Sequence, residues 1–250
     1  MNTRLADAEL GAELERWRAS GMRPRLFLRD DDAVDDTPAL RRLFAACERA
    51  GAPLLLAAIP ALATPALGRV AMDHPLVMPA VHGYAHASHS PRGEKPCEIG
   101  RHRAPETVLS ELAAGRNRLL DLCAGTISGL LVPPWNRIHD ELVGRIGEAG
   151  FAGISAHGWE RRAGARFINA HIDIVHWSAG GVGRTGEWLC GELARNLGVA
   201  RALGGRAVGI LTHHRAHDDT AWAGLDLIFS IVAGEARWVA ADGLPDPTQE

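Results

Sequence analysis

The chain has 250 residues, 46% hydrophobic and 23% charged, with 27 Lys/Arg against 30 Asp/Glu and a formal net charge of −3. That balance suits a globular protein with a sizeable core and argues against a general binder of nucleic acid or anionic membrane. No apolar run reaches the length of a membrane span, and the charged opening segment has no apolar leader core, so a cytoplasmic protein without a membrane partner is expected.

The segment over about 4–20 has helical period. "RLFLR" (25–29) reads as a strand, and the helix over 37–51 that follows has Pro38 near its start and Gly51 at its end. The continuous apolar run 53–60 predicts a strand buried on both faces. A short helix over 64–72 and a strand over 75–82, ending at a histidine, come next. Residues 87–104 are polar, carry Pro and Gly, and read as a long surface loop of the kind that often carries function. Helices over 104–125, 139–150, 186–205 and 219–234 alternate with strands over 127–134, 151–156, 166–175 and 207–214. About seven strands with helices between most of them predict a parallel α/β fold, and the absence of repeats or linkers predicts one domain over 1–250.

In such folds ligands gather at the carboxyl ends of the strands. Here those ends carry Asp30-Asp31-Asp32, then His82 with His86 one turn later, then Pro133-Pro134-Trp135-Asn136, then His213-His214. Each has a plainer explanation alone: a solvated acidic turn, satisfied core histidines, a rigid proline corner. Their recurrence at successive strand ends favours one shared rim. One Asp and two imidazoles suit Zn²⁺ or another divalent transition metal, and three protein ligands leave a position open for water. A dication would also offset the repulsion among three adjacent carboxylates. An EF-hand is excluded, because the acidic run lacks the required Gly and terminal Glu. The four cysteines, Cys47, Cys97, Cys123 and Cys190, form no CxxC pair and read as plain thiols.

These residues resemble the polysaccharide deacetylase family, also known as the NodB homology domain or carbohydrate esterase family 4. "LFLRDDD" is similar to its first motif, "HGYAH" to its second, "VPPWN" to its third, "HIDIVHW" (171–177) to a later one and "LTH" (211–213) to its last, together spanning about 25–215. The wider pattern looks like a divergent bacterial branch. The resemblance implies an incomplete or distorted (β/α)7 barrel. It implies a metal, usually zinc, on Asp32, His82 and His86, with Asp31 as general base. The register with Asp30 as base and Asp31 as ligand is the alternative. It further implies His213 as general acid tuned by Asp173, and the backbone N–H of Trp135 as oxyanion donor. Trp135, Asn136, His89 and His214 are candidates to line the substrate cleft. Trp159, Trp177 and Trp188 are candidates either to stack on a sugar or to pack in the core.

Two departures stand out. Val132 occupies the place of the family's base-orienting Arg, with Arg29 and Arg137 as candidate replacements, and Gly83 replaces a hydroxyl that steadies the metal-binding loop. The expected activity is metal-dependent removal of an acetyl group from an N-acetylated sugar or glycan precursor. Hydrolysis of another C–N bond in a small amide or ureide, and metal-stabilised binding without turnover, remain as alternatives. The partner expected is a small molecule or oligosaccharide, with no nucleic acid.

Overall fold

The computed structural model describes residues 3–160 and 162–245. The outermost residues of the expected domain, 1–2 and 246–250, lie outside the described residues. In chain order the elements are α1 (Thr3–Ala19), β1 (Arg25–Ala33), α2 (Pro38–Ala50), β2 (Leu54–Ala58), α3 (Pro65–Met72), β3 (Val77–His82), α4 (Pro105–Leu122), β4 (Leu130–Val132), α5 (Asp140–Val143), β5 (Gly153–Ile154), β6 (Arg166–Phe167), β7 (Ala170–Asp173), β8 (Val175–His176), β9 (Val182–Gly183), α6 (Gly186–Ala202), β10 (Val208–Thr212), α7 (Asp219–Val232) and β11 (Arg237–Trp238).

Local chemistry sets the helix ends. The side chains of Thr37, Thr64, Thr185 and Asp218 each accept a hydrogen bond from a first-turn N–H of α2, α3, α6 and α7. Gly51 closes α2 in the left-handed conformation at φ 60°. The helix expected over 139–150 is instead the four-residue α5 followed by a 3₁₀ turn at Ile146–Ala149. Gly144 and Gly147 interrupt it, and glycine is poor at sustaining a helix. The strand expected over 166–175 divides into β6, β7 and the first arm of the small β8–β9 hairpin. β11 was not expected; it pairs with only the first two residues of β1.

The main sheet runs in the order β6-β5-β4-β3-β2-β1-β10-β7, and every pairing along it is parallel. Its two ends come close through the segment after β5. There the Gly158 N–H donates to the Ala170 carbonyl (2.7 Å) and the Ala170 N–H to the Ala156 carbonyl (3.0 Å). This is the incomplete, distorted barrel expected. The strand period of two sorts its residues. Phe27, Leu55, Ala57, Ala80, Leu130 and Val132 form an inner cluster. Leu26, Leu28, Leu54, Leu56, Val81 and Leu131 join the larger cluster beneath the helices. Among the described residues no helix is long and apolar enough to cross a membrane.

Candidate metal centre

β1 does not stop at Arg29, as its apolar run suggested, but continues through the acidic residues to Ala33. Alternation then sends neighbouring side chains to opposite faces. Asp30 falls on the outer face with Leu26 and Leu28, while Arg29 and Asp31 fall on the inner face with Phe27.

Asp30 is fully enclosed. One of its oxygens accepts from the Thr212 hydroxyl (2.6 Å) and the His214 backbone N–H (2.8 Å), and the other from His214 Nδ1 (2.5 Å). Burial opposes its ionisation, yet the His214 imidazole outweighs burial and holds the carboxyl below its usual range. The register with Asp30 as base and Asp31 as ligand does not fit this placement.

Asp31 is also buried, but its partner is Arg29. Arg29 Nε and Nη2 donate to the two Asp31 oxygens at 2.9 and 3.0 Å. The rest of the guanidinium reaches across the barrel to the Ser155 carbonyl (2.7 Å), the Ser155 hydroxyl (3.0 Å) and the Ala156 carbonyl (2.8 Å), and also to Asn136 Oδ1 (2.6 Å). A guanidinium so enclosed has one geometry, and it fixes the carboxylate in a bidentate pair. Arg137, the other candidate replacement, instead donates to the Pro96 carbonyl (2.9 Å).

Asp32 breaks the alternation. Its φ is 72°, and the pairing of β1 with β2 shifts register between Asp30 and Ala33. The turn carries its carboxylate to the histidines at the end of β3: Oδ1 lies 3.2 Å from His82 Nε2 and 3.3 Å from His86 Nε2. One donor atom from each residue falls within 4.8 Å of the others. Two donors each about 2.0 Å from a shared Zn²⁺ in a tetrahedral array stand roughly 3.3 Å apart.

The donor set fits a cation in two further ways. Asp32 Oδ1 is buried without a hydrogen-bond partner, an expensive condition for a carboxylate oxygen. His82 Nδ1 donates to the Val132 carbonyl (3.0 Å), so in the neutral ring it is Nε2, the nitrogen facing Asp32, that is left to bind a metal. Burial disfavours an ionised Asp32, but the imidazoles of His82, His86 and His213 prevail and keep it well below the usual carboxylate range. Burial pushes His86 down, reinforced by the His82 ring. His82 resists its own burial and is raised by Asp31 and Asp32.

A residue that local sequence reading missed steadies this loop. Glu98, buried in the 87–104 segment, accepts from the backbone N–H groups of Tyr84 (3.1 Å) and Ala85 (2.8 Å). A Cβ on Gly83 would stand 1.9 Å from Glu98 Oε2, and Gly83 has φ 61°. The glycine therefore makes room for the carboxylate that holds these N–H groups. The only signal was one acid before an apolar residue inside a polar loop. Of the five non-glycine residues with positive φ among the described residues, four are Asp32, His86, Trp135 and Asn136. Such conformations persist only where surrounding contacts over-determine them, and they cluster at functional sites.

The Trp135 ring packs against His86 with centroids 4.3 Å apart. On another side His213 Nδ1 lies 3.8 Å from Asp173 Oδ1. Asp173 is itself held by the Val175 N–H (2.9 Å) and the Trp177 indole N–H (2.9 Å). Trp177 meets the His213 ring edge-on at 4.8 Å and is half exposed. Trp159 instead donates to Asn196 Oδ1 (2.8 Å) and stacks on His171, and Trp188 packs under the Arg184 guanidinium. Two expected cleft residues are elsewhere. His214 is buried as the partner of Asp30, because it follows β10 on the outer face. His89 is exposed and tied to the outer loop, with its Nε2 against Arg103 (2.7 Å) and its N–H on the Cys97 carbonyl (3.0 Å).

No protein-family model matches the chain, and no curated protein matches it by sequence. Solved structures do match. A family 4 carbohydrate esterase from Streptomyces lividans, in complex with acetate, aligns over 88% of this chain and 95% of its own, with TM-score 0.57 and 15% identity. A peptidoglycan deacetylase from Bacillus subtilis aligns over 91% and 92%, with TM-score 0.57 and 13% identity. This chain has the polysaccharide deacetylase fold. A family 4 acetyl xylan esterase from Clostridium thermocellum, in complex with a cobalt ion, shares that fold over 90% of this chain and 95% of its own, with TM-score 0.57 and 11% identity. At these identities the likeness speaks for the fold. In the present chain the rim of that fold carries the Asp32/His82/His86 cluster and the Arg29–Asp31 pair.

Proposed function

We propose that the protein is a metal-dependent deacetylase acting on an N-acetylated sugar or oligosaccharide. The observation that carries the reading is a buried, arginine-pinned carboxylate, Asp31, next in the chain to Asp32, whose oxygen faces two imidazole nitrogens and has no hydrogen bond of its own. Asp32, His82 and His86 would hold the metal, and zinc is the ion that two imidazoles and one carboxylate suit best. When bound, such a metal polarises an acyl carbonyl and acidifies water. The remaining steps belong to the chain. Asp31, oriented by Arg29, takes a proton from the attacking water. The Trp135 N–H faces the oxygen that gains charge, a role Pro134 is unable to fill for want of an N–H. His213 protonates the departing amine, positioned by Asp173 and the Trp177 edge, and the exposed Trp177 face offers a platform for a sugar ring.

Support also comes from how the two departures are compensated. The Arg absent at Val132 would have favoured binding without turnover. Arg29 supplies the same guanidinium from β1, and Glu98 supplies the loop anchor lost at Gly83. That the structural neighbours include a peptidoglycan deacetylase and an acetyl xylan esterase adds weight to acetyl as the acyl group.

The test pairs metal content with acetate release from N-acetylglucosamine oligomers, and includes small amides and ureides in the substrate panel. Wild type should carry about one equivalent of transition metal. Asp31→Asn should keep the metal and lose turnover by about 10²–10⁴-fold, the usual worth of a general base. Wild type that refuses added zinc, or an Asp31→Asn variant with full activity, would overturn the reading.

A further inference from the structure

The loop over 87–104 and the segment after Trp135 enclose a groove of about 690 Å³, a size suited to a small ligand. Both walls follow in sequence on segments of the candidate centre. One starts shortly after His86; the other starts at Asn136, whose Oδ1 accepts from the Arg29 guanidinium that holds Asp31. The walls are fastened together by the Ile99–Ile138 bridge, by the His139 N–H on the Ile99 carbonyl (2.9 Å) and by Arg137 on the Pro96 carbonyl (2.9 Å). The groove is thus held together by these ties and reaches the candidate centre through Asn136.

Its lining opposes the charge of the chain. The protein as a whole is acidic at −3, yet Lys95, Arg101, Arg137 and Arg162 all line this groove and Glu94 is the one carboxylate among the lining residues. Glu94 is engaged by His102 (2.9 Å) and Arg101 (3.5 Å). Arg162 is met by Asp140 from outside the lining (2.7 Å). Arg137 reaches only a backbone carbonyl, and Lys95 has no hydrogen bond or ion pair among the described residues. Four cations against two carboxylates leave an uncompensated positive surface in a concave wall, where field lines concentrate. Neutral sugar does not call for such a lining.

We infer that this groove binds an anionic group of the substrate, a phosphate or a carboxylate, carried on the same molecule as the acyl group. The inference rests on the proposed deacetylase reading for which molecule brings the anion; the anion site itself rests on the groove. Guanidinium and ammonium groups together suit either oxyanion. The substrate class is then an acidic N-acetylated sugar, with its charged arm lying along 94–101 and 136–139 and its acetyl group at Asp31 and Asp32.

Calorimetric titration of the full chain with N-acetylglucosamine 6-phosphate, N-acetylmuramic acid and neutral N-acetylglucosamine tests this, with acetate release measured in parallel. At least one acidic sugar should bind about tenfold or more tighter than the neutral one, and the preference should shrink as salt screens the groove. A preference for the phosphate or for the carboxylate identifies the anion. In the Lys95→Ala/Arg101→Ala double variant, whose substituted side chains are exposed, the preference should collapse while binding of the neutral sugar stays. Equal binding of all three sugars, no binding of any, or a preference that survives the double variant would overturn the anion site. Release of acetate without an acidic preference would sink the groove and spare the deacetylase. An acidic preference without acetate release from any sugar would do the reverse.

Discussion

Two aspartate–histidine contacts lie on opposite faces of one strand, and they differ in almost everything but composition. Asp30 and His214 are sealed beneath the helices, and each Asp30 oxygen has a donor. Asp32, His82 and His86 sit at the rim, with left-handed backbone at two of the three and an Asp32 oxygen that no donor satisfies. A satisfied buried pair is what a fold needs to join β1 to β10. An unsatisfied, strained cluster is what a fold keeps for something it does not itself supply. Side-chain type alone would have classed the two together; hydrogen-bond completeness separates them.

The largest effects come from breaking each cluster in turn. Asp30→Asn removes one charge of a buried pair and should cost about 3–5 kcal/mol in urea unfolding, with metal content of the folded protein unchanged. Asp32→Ala should do the opposite: metal affinity falls by more than about a hundredfold, since even the outer partners of metal ligands can cost that much, while the metal-free protein unfolds near the wild-type midpoint. Metal loss in Asp30→Asn without loss of stability would reverse the two assignments.

Arg29→Lys sharpens the contrast between holding a carboxylate and merely neutralising it. Lysine keeps the charge but is unable to span both Asp31 oxygens, the Ser155 and Ala156 carbonyls and Asn136 at once. We expect kcat to drop about a hundredfold through misplacement of the base, with metal content intact. An unchanged kcat would mean that Asp31 needs no orienting partner.

Acid should weaken the fold through its buried histidines. Burial, reinforced by His157, pushes His171 down to about 3, and burial pushes His217 down to about 4. Both are neutral in the native state, whereas the unfolded chain takes up protons below about pH 6.5. Stability is therefore fully present above that pH and is lost as pH falls towards the depressed native values. For His171 the loss should be on the order of 2 kcal/mol by pH 5. A His171→Gln variant should flatten the slope of melting temperature against pH, and an unaltered slope would place the titrating group elsewhere.

Much of this was legible in the chain. Apolar runs stopped by proline or glycine marked the central strands, and the acidic and histidine residues lay at their ends. What escaped depended on distant contact. The end of β1 could not be read because Asp30 is satisfied by Thr212 and His214, far along the chain. His214 looked like a cleft residue because the outward turn after β10 leaves no local mark. Glu98 was invisible because its role exists only once the 87–104 loop closes over Gly83. The choice among three aspartates needed the backbone reversal at Asp32, which no pattern of residue types announces.

Asp31 and the guanidinium that grips it, Arg29, are two positions apart on a single strand. Sliding of β1 against its neighbours would carry both groups together but strain the guanidinium's hold on Ser155, Ala156 and Asn136, so their alignment depends on how the rim is assembled. The segment that follows β4 contributes no guanidinium to Asp31 among the described residues. It lines the basic groove instead, and Asn136 is the residue through which that groove touches the Arg29–Asp31 pair.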